Sequence, residues 1–222
     1  MWCFPSMNRP ERCADVMQGM IRHGITTPGV LIVNGRQREE EYRAIELPPN
    51  WTIEVLAENI GICGALNKLF TELPSESWYG IVCDDEYVFT DEFDKRLVSE
   101  AADWGIAHGN DTKDTRPHKQ VRIHTYAVFG GELLRAMGFW CLDGCWHAYA
   151  DWAWQTIADE FGLARMCHDV ITEHRCYDYG SAPIDETYHV AHTRLQQDRQ
   201  RYERWLSQEW PALKLRLQSA LR

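Results

Sequence analysis

Residues 78–86 read WYGIVCDDE, a short apolar run that ends abruptly in three consecutive acids. An apolar run of strand length suits a strand buried on both faces of a parallel sheet. Asp84, Asp85 and Glu86 then sit at its carboxyl end, the edge of an open α/β sheet at which ligands bind. Three adjacent carboxylates repel one another and resist desolvation unless a cation neutralises them. Hard oxygen ligands suit magnesium or manganese, and such ions commonly share their shell with phosphate oxygens. The plain alternative is an acid cluster that faces solvent or caps the next helix.

The surrounding sequence supplies the sheet. Apolar runs at 2–4, 30–33 and 51–56 precede the 78–83 run, with helical spacing over 11–23 and 62–71 between them. Strands alternating with helices indicate βαβ units. Past Asp91 the pattern predicts a helix over 91–101, a short strand at 104–107 and a mobile polar loop over 109–120. A strand near 121–126, helices over 130–137 and 151–161, and one or two strands within 163–171 follow. From Glu186 the chain reads as helix, with Pro211 expected to break or kink it. The expected organisation is a single domain over 1–222. It has a nucleotide-binding half (1–90), an acceptor-shaping half (91–185) and a helical tail (186–222).

Charge limits the partners. With 33 acids against 23 bases the formal net charge is −10, which opposes indiscriminate nucleic-acid binding. Two local basic stretches stand against this balance. One is the loop bearing Lys113, Arg116, Lys119 and Arg122, and the other is the tail, with seven Arg or Lys and four acids. The bland reading of both is a solvated, salt-bridged surface. No apolar run is long enough to span a membrane, and eight cysteines in 222 residues are not a disulfide framework, so the expected setting is a reducing cytoplasm. Cys141, Cys145, His147, Cys167, His168 and Cys176 do not show the close ligand pairs of a zinc site.

The order of features carries more than any one of them. A strand is followed by Pro5-Ser6-x-x-Arg9-Pro10, a helix, a strand closed by Asn34-Gly35, then Asn59-x-Gly61-x-x-Gly64-Ala65-x-Asn67 and the acid triplet. Gly109-Asn110-Asp111, His124-Thr125, Gly138-Phe139-Trp140 and His147-x-x-x-Asp151-x-x-Trp154 come next. Asp169-Val170-x-x-Glu173-His174 and Ala182-Pro183-x-Asp185-Glu186-x-Tyr188 complete the series. Over residues 2–188 this order resembles the GT-A glycosyltransferases, particularly small family-2-like enzymes of viral genomes.

The resemblance implies a Rossmann-like, mostly parallel sheet flanked by helices. It also implies cation-assisted transfer of a sugar from a UDP-sugar to a hydroxyl, with inversion at the anomeric carbon. Carried over, Asp84 contacts the ribose, and Asp85, Glu86 and His174 hold Mn²⁺ or Mg²⁺. Such enzymes often place a second histidine where this chain has Cys176, a departure that bears on the metal geometry. Pro5, Ser6, Arg9, Asn34, Gly61 and Asn67 shape the nucleotide pocket. Asp151 is the expected catalytic base, since a carboxylate aimed at the acceptor oxygen can take its proton. His147, four residues earlier, orients that base or binds acceptor. Trp140 and Trp146 are candidates for stacking on acceptor. Small viral enzymes of this kind include ones that glycosylate hydroxymethylated bases in DNA. 5-Hydroxymethylcytosine in DNA is therefore the expected acceptor, with the basic loop and tail on its phosphates. A glycan, protein or small-molecule acceptor, a nucleotidyltransferase on the same fold and a non-catalytic sugar-nucleotide-binding module are the rivals. The expected assembly is a monomer or small oligomer.

Overall fold

The computed structural model describes residues 1–114, 123, 126–177 and 180–222. Eight strands form one sheet: β1 (Trp2–Ser6), β2 (Gly29–Val33), β3 (Trp51–Val55), β4 (Trp78–Ile81), β5 (Glu86–Val88), β6 (Ile106–Asp111), β7 (Val128–Gly130) and β8 (Ala164–His174). Their order is β3-β2-β1-β4-β7-β6-β8-β5. The first four are mutually parallel, β7 runs against β4 and β6, β6 and β8 are parallel, and β5 runs against β8. The helices are α1 (Pro10–Arg22), α2 (Glu39–Arg43), α3 (Gly61–Glu72), α4 (Phe93–Ala101), α5 (Gly131–Met137), α6 (Ala150–Phe161), α7 (Glu186–Arg204) and α8 (Trp210–Ala220).

Period-two alternation in buried strands builds a core on each face. Cys3, Val30 and Ile32 enter one core with Leu66, Leu69, Phe129, Trp140, Trp154 and Leu217. Trp2, Phe4, Leu31 and Val33 enter the other with Met17, Met20, Phe93 and Leu97. Trp2 lies so close to Gly80 on the neighbouring strand that a Cβ there would fall 2.4 Å from its ring, which accounts for a glycine in the middle of β4.

Several elements differ from the sequence expectation. The 78–83 run stops being strand at Ile81, the chain turns at Cys83, and Glu86 opens a separate strand. Residues 109–111, expected in a loop, are the end of β6. β8 is a single long strand whose register shifts opposite Gly109 and Asn110. The strand expected near 121–126 falls largely outside the described residues, and the strand pairing with β4 is 128–130. Pro211 does not end the tail helix. It sits in the first turn of α8, directly after a π-helical turn over 205–209, whose wider winding tolerates the proline ring and its missing N–H.

Candidate active site

The carboxyl ends of β1, β2 and β4 open onto a cleft of about 410 Å³, with the N-terminal half of α7 along its far wall. Pro5, Ser6, Arg9, Asn34, Gly61, Asp84, Asp85, Glu86, Trp146, His147 and His174 all line it. Eleven of the residues expected at the site, scattered over much of the sequence, therefore meet in one cleft.

The acid triplet is divided by the turn. Asp84 accepts from Ser6 Oγ at 2.6 Å and from Arg9 Nη1 at 2.9 Å. Ser6 spends its only hydrogen on Asp84, so Tyr42 donates to Ser6 Oγ at 2.8 Å while accepting from the Arg9 N–H. Burial lifts the Asp84 carboxyl to about 6 in spite of Arg9 beside it. Asp85 accepts from the Tyr188 hydroxyl at 2.9 Å and lies 3.4 Å from His174 Nε2. Burial pushes Asp85 upward, but His174, Arg9 and Tyr188 together hold it down at about 2. The His174 imidazole is correspondingly pushed up: burial opposes its charge, and Asp85 outweighs burial. Glu86 turns inward, accepting from the backbone N–H groups of Cys83 at 3.1 Å and Tyr126 at 3.3 Å, and burial raises it to about 7. Of the three expected metal ligands, Asp85 and His174 face each other, and Glu86, also in the cleft lining, spends its Oε2 on two backbone N–H groups.

Arg9 does not point openly at the cleft. Its Nε and Nη2 form a two-pronged pair with Asp185 at 2.8 and 2.7 Å, and its guanidinium stacks 4.3 Å from the centre of the Tyr188 ring. Asn34 bridges two backbone groups of the β3–α3 turn, donating to Gly61 O at 2.9 Å and accepting from Ile60 N at 2.8 Å. Gly61 holds φ +74°, and a Cβ there would lie 2.3 Å from the Trp146 carbonyl oxygen, so this glycine is what lets the cleft wall approach α3.

Three expectations are displaced. Asn67 lies outside the cleft, accepting from Trp140 N and Cys141 N at 3.1 and 2.8 Å and donating to Cys141 O at 2.9 Å, so it braces the 140–141 backbone. Trp140 is fully buried among Tyr79 and Phe129 and packs in the core. Asp151 is exposed in the first turn of α6, and the described cleft lining includes His147 but not Asp151. Burial holds the His147 imidazole below its ordinary range, which keeps it neutral.

The acceptor-side expectations fare differently. Lys113 lies 3.7 Å from Glu173, and Arg116, Lys119 and Arg122 lie outside the described residues. In the tail, Arg199 pairs with Glu203, Arg201 with Glu209 and Lys214 with Glu160. Arg194 stacks 5.1 Å from the Trp146 ring, and Arg216 donates to Met137 O.

Sequence reasoning assigned no role to Tyr42, Asp185, Tyr188 or Asp198. Asp185 and Tyr188 stood in a motif without a function. Asp198 carried a readable signal: it is an acid at helical spacing between Leu195 and Tyr202, on the stripe expected to be apolar.

This fold, a mixed sheet between helical layers with C-terminal helices appended, is the GT-A glycosyltransferase fold. It is similar to S. aureus TarS residues 1–349 in complex with UDP-GlcNAc, at TM-score 0.57 and 13% identity over 86% of this chain and 63% of that one. A structure of S. aureus TarS matches at TM-score 0.55 and 11% identity over 84% of this chain and 40% of that one. The complex of TarS 1–349 with UDP matches at 0.55 and 12% over 77% and 59%. The chain thus spans less than two thirds of the length of these TarS structures. No protein-family model matches the sequence, and no curated protein matches it. No helix among the described residues is long and apolar enough to cross a membrane.

Proposed function

We propose that this chain is a glycosyltransferase that binds a UDP-sugar in the cleft and transfers the sugar to an acceptor hydroxyl. The observation that carries this reading is the meeting of Asp84, Asp85 and His174 at the carboxyl edge of the sheet, in one cleft. The likeness to TarS structures holding UDP-GlcNAc and UDP supports the donor class.

Asp85 and His174 are the residues that would hold a divalent cation. Among the described residues, no three His, Cys, Asp or Glu side chains form a group able to hold a metal ion by themselves. A two-donor set fits an ion that takes its remaining ligands from substrate phosphates and water. Bound there, the cation would offset the negative charge that grows on the departing diphosphate. Asp84, fixed by Ser6 and Arg9, presents a carboxylate to the donor ribose. Asn34 and Gly61 hold the turn that closes the nucleotide side. His147, neutral and in the cleft, accepts the acceptor hydroxyl's proton as that oxygen attacks the anomeric carbon, and direct attack inverts the configuration. We assign this role to His147 ahead of Asp151 because His147 lines the cleft, whereas Asp151 is exposed and is not among the lining residues.

The acceptor is a hydroxyl compound. The case for hydroxymethylated DNA drew on the resemblance and on the basic loop and tail; in the structure Lys113 stands near Glu173, and three of the tail's seven bases are ion-paired. The test is incubation of the purified protein with a panel of UDP-sugars, with manganese or chelator, scoring UDP release and product mass. Duplexes with and without hydroxymethylcytosine, small glycosides and peptides serve as acceptors. UDP release with a hexose-sized mass gain on one acceptor supports the reading. Pyrophosphate release from a nucleoside triphosphate would make the protein a nucleotidyltransferase. UDP binding without turnover on any acceptor would make it a binding module.

A further inference from the structure

Asp198 lies in the middle of α7 and is fully buried. Its carboxylate gathers three consecutive backbone N–H groups: Trp146 on Oδ1 at 2.8 Å, and His147 and Ala148 on Oδ2 at 2.9 and 2.8 Å. Successive N–H groups converging on one point form a nest that favours an anion, and bonds to an ionised acceptor are the stronger kind. The stretch they belong to has no regular secondary structure of its own. It is bounded by Gly144 at φ +84° and Tyr149 at φ +66°, a left-handed geometry that a tyrosine adopts only under constraint. On its other side the Trp146 carbonyl accepts from Cys63 N at 3.2 Å. Residues 146–148 are therefore clamped between α3 and α7, and all three line the cleft.

We infer that Asp198 is a positioning residue for transfer: it sets the 146–148 strap so that the His147 imidazole is held in the cleft where it takes the acceptor's proton. The inference rests on the glycosyltransferase reading and extends it to a residue in the C-terminal helix. The same helix carries Tyr188, whose hydroxyl binds Asp85. Ten residues of helix separate Tyr188 from Asp198, a rise of roughly 15 Å. One rigid element thus touches both the acid that would meet the cation and the strap that carries the proton acceptor. The C-terminal helix is a wall of the site in this view, and its net basic charge is incidental.

The experiment compares wild type with Asp198→Asn, a near-isosteric change. An amide cannot serve three N–H donors without turning its own N–H groups on one of them. UDP binding by calorimetry should stay within about twofold of wild type. The kcat for transfer should fall by roughly a hundredfold, the scale of a misplaced reacting group, with little change in donor KM. Asp198→Glu, which keeps the charge, should recover part of the loss. Wild-type kcat in the Asn variant overturns the inference. So does a loss of turnover that runs in parallel with a loss of UDP affinity, and so does failure of both variants to fold, since each marks a merely structural role. If wild type itself turns over no UDP-sugar, the glycosyltransferase reading falls, and the placement is then decided by NMR of histidine-labelled protein. The His147 imidazole signal, assigned through His147→Gln, should move in Asp198→Asn while those of His108 and His174 stay. An unmoved His147 signal overturns the inference.

Discussion

Tyr188 donates its phenolic hydrogen to Asp85 Oδ2 at 2.9 Å, bringing the start of the C-terminal helix onto the turn that follows β4. The contact is reinforced from the side, where Arg9 lies against the Tyr188 ring and grips Asp185. Asp85 is thereby held by a hydroxyl on one oxygen and faced by His174 on the other. Two charged or polar partners are what a buried carboxylate needs in order to stay ionised.

Asp85→Asn and His174→Ala should each remove the manganese dependence of UDP binding. In wild type, chelator should weaken UDP affinity at least about tenfold, equivalent to roughly 1.4 kcal/mol. In either variant, calorimetry with and without chelator should give the same, weaker affinity. Full-affinity UDP binding by wild type in chelator would remove the cation from the site.

Arg9→Met should destabilise the fold by about 3–5 kcal/mol, because it strands Asp84 in a buried position with its cationic partner gone. Arg9 and Asp84 are each only 7% exposed at the side chain, so water cannot substitute. Adding Asp84→Asn to Arg9→Met should restore part of the loss, since the uncompensated charge is then absent. Urea denaturation of the two single variants and the double variant measures the coupling. Additive losses would show that Arg9 and Asp84 stabilise the fold independently.

Local signals made the left half of the sheet legible. The runs at 2–4, 30–33 and 78–83 became β1, β2 and β4 because strands buried on both faces are written as unbroken apolar stretches, and 51–56, interrupted by Thr52 and Glu54, became the edge strand β3. The carboxyl edge followed from the same pattern, and with it the place of Asp84; Ser6 and Asn34 came from the resemblance, and both line the cleft. What sequence could not place depended on pairing between distant segments. Glu86 reads as the third member of a triplet, yet it starts β5 directly opposite His174 on β8, and that register separates it from Asp84 and turns its carboxylate inward. The resemblance puts Asn67 in the nucleotide pocket, but its phase on α3 carries it outside the cleft and against Trp140 and Cys141. The resemblance makes Asp151 a base at a helix start; in the structure the strap before α6 brings His147 to the cleft, and Asp151 is exposed in the first turn.

His147→Gln should abolish sugar transfer, by at least about a hundredfold, the usual contribution of a positioned proton acceptor. UDP affinity should change little. Asp151→Asn should keep turnover near wild type, because Asp151 is exposed in the first turn of α6 and is not among the cleft-lining residues. Steady-state kinetics on both variants, with UDP binding measured in parallel, decides between the two residues. Loss of transfer in Asp151→Asn with His147→Gln active would reverse the assignment.

The last prediction concerns pH and a residue outside the cleft. His108 on β6 is fully buried, with Nδ1 3.0 Å from Gly109 O, and burial pulls its pKa down to about 4 from the ordinary 6.5. In the fold it is neutral; in the unfolded chain it takes a proton below about 6.5. Between those values the unfolded state binds more protons, so this histidine's contribution is complete above about pH 6.5 and is lost as pH falls to about 4. A gap of 2.5 units corresponds to about 3 kcal/mol. Asp84 and Glu86 work in the opposite sense, because burial raises both carboxyls and the folded state then holds more protons as the solution is acidified. The wild-type pH profile therefore mixes opposing slopes, and the comparison with His108→Gln isolates one of them. Measured by urea denaturation, the stability advantage of wild type over His108→Gln should shrink by about 3 kcal/mol between pH 7.5 and pH 4. A gap that stays constant across that range would mean that His108 does not titrate differently in the folded and unfolded states.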